Sequence, residues 1–281
     1  YYGYNVQQPS SNPDSVLSGS AVTTSRESDF NIDEIYASVA FDLMDLDGGT
    51  MQMFVGAERR EEYYQDLYDS QSEAGLVGGS AGNSAGGGRS VNAMYFETLM
   101  PFMDNFEVTL AGRYDSYSDY GSDFSPKVGM RFQPTDEVTL RASWGEGFRA
   151  PTLDILTQRP AFSADSISDA DTCDVLVGDR TEECQINGLS ISNPGLSSEQ
   201  SEQYAFGVVW QPSDWFDMSL DFSSVEIEDR IVSFSAQTVV NRRGTEAGIY
   251  QPGDANYDPR PVDDAMIVTR ESQPCSVDPS Q

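Results

Sequence analysis

From Ile35 onward, apolar and polar side chains exchange places at every second position, and the pattern returns in segment after segment. Ile35, Ala37, Val39, Phe41 and Leu43 fall on one side of an extended ribbon, with Tyr36, Ser38, Ala40 and Asp42 on the other. A period of two is the mark of a β-strand with two different faces. A second ribbon, from Met51 to about Tyr64, sets Met51, Met53, Val55 and Ala57 against Gln52, Gly56, Glu58 and Arg60. Phe106, Val108, Leu110 and Tyr114 repeat the arrangement, as do Phe124, Val128, Met130 and Phe132 opposite Ser125, Lys127, Gly129 and Arg131. Val138, Leu140, Ala142, Trp144 and Phe148 form the most regular apolar side, facing away from Thr139, Arg141, Ser143, Gly145 and Gly147. Tyr204, Phe206, Val208 and Trp210, then Phe216, Met218, Leu220 and Phe222, close the series. With a less regular strand from Val91 to Phe102, the pattern predicts about eight strands.

The connections alternate in length. Short turns are expected near Asp45, Met103, Pro134 and Ser213, whereas the intervening links cover residues 65–89, 118–123, 149–200 and 232–281. Three of those four are long, and long structureless segments are uncommon inside a compact soluble domain. Tight turns at one end and long loops at the other is the asymmetry of an outer-membrane β-barrel, whose apolar face meets lipid and whose polar face lines a wet interior. Phe41, Phe102, Phe106, Phe132, Trp215 and Phe216 gather near the short turns, where an aromatic girdle would meet the headgroups. The competing reading is a soluble antiparallel sandwich with the same apolar face as its core.

Composition narrows the function. Acidic side chains outnumber basic ones 46 to 16, and the resulting charge of −30 opposes nucleic-acid binding. No run of apolar residues reaches the ~18 to 20 required of a spanning helix. Histidine is absent, so a Ser-His-Asp triad and an imidazole metal site are both ruled out. Neither a catalytic residue, a resident metal site nor a cofactor is assigned. The sequence starts at Tyr1 without a leader, which reads as a processed chain or a piece of a longer one.

Several linked motifs carry a family resemblance. Gly112-Arg113-Tyr114-Asp115, Ser125-Pro126-Lys127-Val128-Gly129, Leu140-Arg141-Ala142-Ser143-Trp144-Gly145 and Gly147-Phe148-Arg149-Ala150-Pro151 occur in order. They are followed by Asn193-Pro194-Gly195-Leu196-Ser197-Ser198-Glu199, then Tyr204 and Gly207, and finally Asp229-Arg230-Ile231. This text resembles the barrel of TonB-dependent receptors from about Glu34 to Ile231. The resemblance implies a barrel of about 22 strands with an N-terminal plug, importing a scarce nutrient such as a ferric siderophore, cobalamin or an oligosaccharide. Neither a plug nor a TonB-contacting segment is recognisable, so the chain is read as an internal stretch with strands missing on both sides.

Other motifs favour plainer readings. Gly145-Glu146-Gly147-Phe148-Arg149-Ala150 fits a dinucleotide fingerprint, but Pro151 and the antiparallel surroundings deny it the helix that such a loop must open. The Gly/Ser-rich stretch 80–90 lacks the lysine of a phosphate loop and reads as a flexible surface loop. Asp165, Asp169, Asp171 and Asp174 do not match an EF-hand spacing and read as solvated carboxylates. Cys173 and Cys184 share one outer loop of an exported protein, and a disulfide between them is expected, stabilising by roughly 3 kcal/mol. Cys275 is left without an assigned partner. Arg113, Lys127, Arg131 and Arg141 recur on the presumed inner face, with Arg149 at the mouth. They are the substrate-path candidates, although pairing with carboxylates such as Asp115 and Glu107 serves structure equally well.

The fold expectation is therefore all-β: an antiparallel transmembrane β-barrel portion, about eight strands of a larger barrel, with long outer loops. Residues 34–231 form the wall, 1–33 an outer loop or partial strand, and 232–281 a truncated outer loop. The functional expectation is a non-enzymatic uptake receptor in the outer membrane of a Gram-negative bacterium. Its partners would be membrane lipid, a small-molecule substrate such as a metal chelate, and the TonB energy-transducing complex through a missing N-terminal region. The alternatives are a structural or adhesive barrel, and a secreted β-enzyme whose Phe124, Val128, Met130 and Phe132 face is buried against protein.

Overall fold

The computed structural model describes residues 8, 11–77, 82–170, 173, 183–242, 249–250 and 266–267. Eight long strands run β1 (Arg26–Leu46), β2 (Gly49–Tyr68), β3 (Ala85–Met103), β4 (Phe106–Tyr117), β5 (Gly121–Thr135), β6 (Val138–Arg149), β9 (Glu199–Ser213) and β10 (Phe216–Glu228). They form one antiparallel sheet in the order β1-β2-β3-β4-β5-β6-β9-β10, so each strand lies beside its neighbour in sequence apart from the excursion between β6 and β9. That excursion holds a separate hairpin, β7 (Ala161–Ile167) with β8 (Cys184–Ser190). Short helices α1 (Asp14–Ser20), α2 (Ser70–Glu73), α3 (Leu153–Thr157) and α4 (Ala236–Arg242) lie outside the sheet.

Four two-residue turns mark one end of the sheet: Asp47-Gly48, Asp104-Asn105, Asp136-Glu137 and Asp214-Trp215. Each opens with Asp, whose short side chain suits a turn. Beside every one of them the register shifts, between Asp42 and Met44, Pro101 and Met103, Phe132 and Thr135, and Phe216 and Met218. Bulges of this kind bend and twist strands at barrel rims. The turns are also knitted together, since Gly48 N donates to Pro101 O, Gln133 N to Asn105 O and Gln211 N to Glu137 O.

The register makes the two faces continuous. Val39 pairs with Val55 and Val55 with Phe96; Leu110 pairs with Val128, Val128 with Trp144 and Trp144 with Tyr204; Val208 pairs with both Leu140 and Leu220. One apolar surface thus crosses all eight strands. It is bare on inner strands too, with Met94 70%, Tyr204 49% and Phe206 49% exposed, while Asp115, Asp66 and Glu62 on the other face are 3%, 4% and 8% exposed. A soluble sandwich buries its apolar side, so this burial is inside out for water and right for lipid. Phe124 at 52% and Met130 at 43% exposure count against the secreted-enzyme alternative directly.

Near the turns the rings of Phe102 and Phe106 lie 6.0 Å apart, as do those of Phe106 and Phe132, and Trp210, Phe216 and Trp215 continue the belt. Tyr114, Trp144 and Tyr204 end the apolar band eight or fewer residues further along each strand. A spanning strand needs ~9 to 11 residues, so β1 and β2, with 21 and 20, rise well beyond a bilayer.

Three details differ from the sequence expectation. β1 begins at Arg26, where acidic side chains had masked the strand, so 26–33 are sheet. β3 begins at Ala85, because Gly86, Gly87 and Gly88 pair with Gln65, Tyr64 and Tyr63; the glycine run is strand, not loop. Phe148 leaves the apolar face to meet the Tyr117 ring edge-on at 6.1 Å. The ladder between β5 and β6 stops at Lys127 and Gly145, just before Pro126, which has no N–H to give, and the outer part of β6 pairs with β9 alone.

Candidate functional site

The polar face carries its chemistry in three groups. The largest is a connected run of ion pairs across β2, β3 and β4. Arg60 reaches Glu58 at 3.0 Å and Glu62 at 2.7 Å; Arg89 reaches Glu62 at 2.6 Å and Asp119 at 3.4 Å; Arg113 reaches Glu58 at 3.0 Å and Asp115 at 2.9 Å. The alternation explains the grouping, since Glu58, Arg60 and Glu62 sit two apart on one strand and point the same way. Aromatic rings brace it, with the Arg113 guanidinium 5.5 Å from the Tyr95 ring centre and that of Arg89 5.0 Å from Tyr117. Tyr95 in turn lies flat across Gly56, where any Cβ would come within 2.3 Å of the ring.

A second group crosses the sheet nearer the turns. Arg131 and Arg141 are direct cross-strand partners, a pairing of like charges that each resolves by turning away. Arg131 lies 3.9 Å from Glu107 and donates to Gln133 Oε1, while Arg141 reaches over β9 to Asp221 with Nη2 at 2.6 and 2.7 Å from the two carboxylate oxygens. Gly207 lies beneath that bridge, and a Cβ there would stand 2.1 Å from Asp221 Oδ1 and 2.6 Å from Arg141 Nε.

The third group gathers three of the sequence motifs. Arg149 donates to Glu199 Oε1 at 2.6 Å across the last rung between β6 and β9, and Ile231 N donates to the same oxygen at 2.7 Å. The last residue of the first motif, Pro151, is buried and its carbonyl accepts from Arg89 Nη1 at 2.8 Å. Beyond it α3 packs on β3: Gly86 N donates to Thr157 Oγ1, and a Cβ on Gly87 would meet Thr157 Cγ2 at 2.9 Å. Asn193 Oδ1 accepts from Gly195 N, turning the chain into β9.

Of the five candidate cations, Arg113, Arg131, Arg141 and Arg149 each face a carboxylate. Lys127, the only lysine of the chain, has no ionic partner among the described residues and lies along Gly145, its Cγ 3.5 Å from where a Cβ would be. Sequence reasoning missed Arg60, Arg89, Glu58 and Glu62 as candidates: Arg60 meets Glu58 and Glu62 at a spacing of two on one strand, whereas the contacts of Arg89 with Glu62 and of Arg113 with Glu58 depend on strand register. Cys173 and Cys184 are bonded to each other, with Cα atoms 5.4 Å apart. Cys275, Asp171 and Asp174 lie outside the described residues, and Asp165 accepts from Ser163 Oγ. Among the described residues no three His, Cys, Asp or Glu side chains come together as a metal site.

Two groups in the outer links titrate away from their ordinary range. Asp69 accepts from the backbone N–H of Ser72, Gln71 and Ser25 and from Ser72 Oγ, which holds its carboxyl below the usual range. Burial, aided by the Asp123 carboxylate that its hydroxyl donates to, pushes the Tyr120 phenol up.

The family model described as TonB dependent receptor-like, beta-barrel, matches residues 1–264. The chain belongs to the TonB-dependent receptor β-barrel family. Solved structures of the same architecture include the siderophore receptor PirA from Acinetobacter baumannii, at 18% identity and a TM-score of 0.57, covering 72% of this chain and 28% of that one. The ferric enterobactin receptor PfeA from Pseudomonas aeruginosa, a mutant in complex with enterobactin, matches at 18% identity and a TM-score of 0.53 over 86% of this chain and 31% of that one. PirA from Pseudomonas aeruginosa matches at 18% identity and a TM-score of 0.52, covering 71% and 32%. At such identities the likeness establishes the fold, and this TonB-dependent receptor barrel chain spans about a third or less of each of those proteins. A search of curated proteins finds no match. The eight strands form an open stretch of barrel, with β1 and β10 at its edges among the described residues.

Proposed function

We propose that this chain is part of the wall and outer loops of an outer-membrane receptor that imports a scarce nutrient, such as a ferric siderophore, with energy delivered by TonB. In this reading residues 26–231 are wall and loops, the described residues on either flank belong to the outer side, and further strands complete the barrel. One observation carries it: an unbroken apolar face, exposed across eight strands, stands back to back with an ion-paired polar face. The solved relatives named for siderophores and ferric enterobactin make a metal chelate the first substrate to try.

Four of the inner cations serve the wall as struts, because each carboxylate partner already occupies the guanidinium. Lys127, open beside Gly129, Ser143 and Gly145, is the wall's contribution to an anionic substrate on its way through.

The test is uptake of radio-iron complexes, ferric enterobactin among them, by Gram-negative cells producing the complete receptor that contains this chain. Accumulation that requires both the receptor and functional TonB supports the reading. A correctly inserted receptor that binds surfaces or cells and transports nothing in either background would establish a structural or adhesive barrel instead.

A further inference from the structure

We infer that the segment following β10 is latched onto the disulfide-stapled excursion between β6 and β9, so that these two outer loops move as one body. The two segments are far apart in sequence and are joined at two separate places. At the strand ends, Ile231 N donates to Glu199 Oε1. Further out, α4 sits against the hairpin β7–β8. There Gln237 clasps the backbone of Ser168 from both sides, its Oε1 accepting from Ser168 N at 2.7 Å and its Nε2 donating to Ser168 O at 3.1 Å.

Between these polar ties lies a small apolar core that neither loop makes alone. Ile167, Cys173 and Cys184 come from the excursion and Val240 from α4; all four are at most 4% exposed, with Ile186 and Ala236 packed around them. The disulfide therefore does more than shorten its own loop. Both half-cystines belong to the cluster that holds Val240, and Cys173 is 0% exposed there. A six-residue patch of this size gains its order from being closed, so opening the staple removes the seat of the helix as well as the tether of the loop. Ser235 starts α4 by accepting from Thr238 N through its hydroxyl, which lets the helix form at the place where it docks.

The excursion is tied in turn to the link between β2 and β3. Arg159 N donates to Ser84 O, and the Arg159 guanidinium lies 3.4 Å from Glu73. Motion of the latched pair thus reaches a third outer link through one residue. The latch joins the loops mechanically, whatever the substrate.

The experiment is amide hydrogen exchange on the complete receptor in detergent micelles, before and after reduction with a phosphine, with free thiols at Cys173 and Cys184 verified by mass spectrometry. Reduction should raise exchange in 236–242 severalfold while β10 stays protected. Q237A and V240D, with the disulfide intact, should raise exchange in 161–167 reciprocally. If 236–242 exchanges at the same rate with the disulfide intact and reduced, or if neither variant alters 161–167, the two loops are independent and the inference fails.

Discussion

Arg149 and Glu199 meet at 2.6 Å although 50 residues separate them, and each belongs to a different sequence motif. Their rung is the last between β6 and β9, and the same Glu199 oxygen takes the amide of Ile231 beyond β10. One carboxylate therefore ties the exits of three strands. Glu199→Gln, which keeps the acceptor and drops the charge, should leave the sheet intact and weaken the tie. Glu199→Ala should raise hydrogen exchange at Ile231 and in 199–201 well above the level in Glu199→Gln. Equal exchange in both variants would show that the acceptor oxygen contributes nothing there.

Glu62 stands between two guanidiniums, with Arg60 at 2.7 Å and Arg89 at 2.6 Å, and its side chain is 8% exposed. Removing it takes one carboxylate partner from each of two partly buried cations, leaving Arg60 with Glu58 and Arg89 with Asp119, so Glu62→Ala should cost about 2 kcal/mol. Urea unfolding of the complete receptor in micelles measures this. A loss below about 1 kcal/mol would place the pair among ordinary surface bridges.

The bridge from Arg141 to Asp221 is half exposed and should contribute under about 1 kcal/mol. Its dependence on Gly207 is the sharper point. G207A and D221N should be non-additive, each costing less in the presence of the other, because both remove the same bridge. Strict additivity in a double-mutant cycle would refute that dependence.

In the outer link, Asp69 orders α2 through the hydrogen bonds its carboxylate accepts. A carboxyl lowered in the folded state contributes order that is fully present above its unfolded value, about 3.9. That contribution is lost as pH falls through the lower folded value. Exchange in 69–76, corrected for intrinsic rate, should therefore rise only at the acid end, below pH about 4. Asp69→Asn should abolish the pH step.

Much of this architecture is legible in the residues themselves. Alternation fixes which side of each ribbon is apolar, and it holds from Val39 to Phe222 because a slip of one residue would reverse every face. Turn position is equally plain, since each of the four two-residue turns begins with Asp. The ends of strands are harder. Arg26–Asp33 and Ala85–Ser90 are strand although acidic or glycine-rich, because above the membrane the outer face needs no apolar residue and backbone pairing decides alone. Ion-pair partners are harder still. Arg113 meets Asp115, two residues away and visible in sequence, but equally Glu58, which only the register of three strands brings near. Gly207 and Gly56 give no sequence sign that a bridge and a ring lie over them.

The orientation of the sheet is tested most directly by single cysteines in the complete receptor, reconstituted in lipid with Cys275 replaced by Ser. L140C, V208C and L220C lie on one face, and S143C, A205C and S223C on the other at neighbouring heights. A fluorophore on the first three should be quenched by brominated lipid and spared by aqueous iodide, with the opposite result for the second three. Quenching of the Ser143, Ala205 and Ser223 positions by lipid, with the Leu140, Val208 and Leu220 positions silent, would contradict the architecture and the import function built on it.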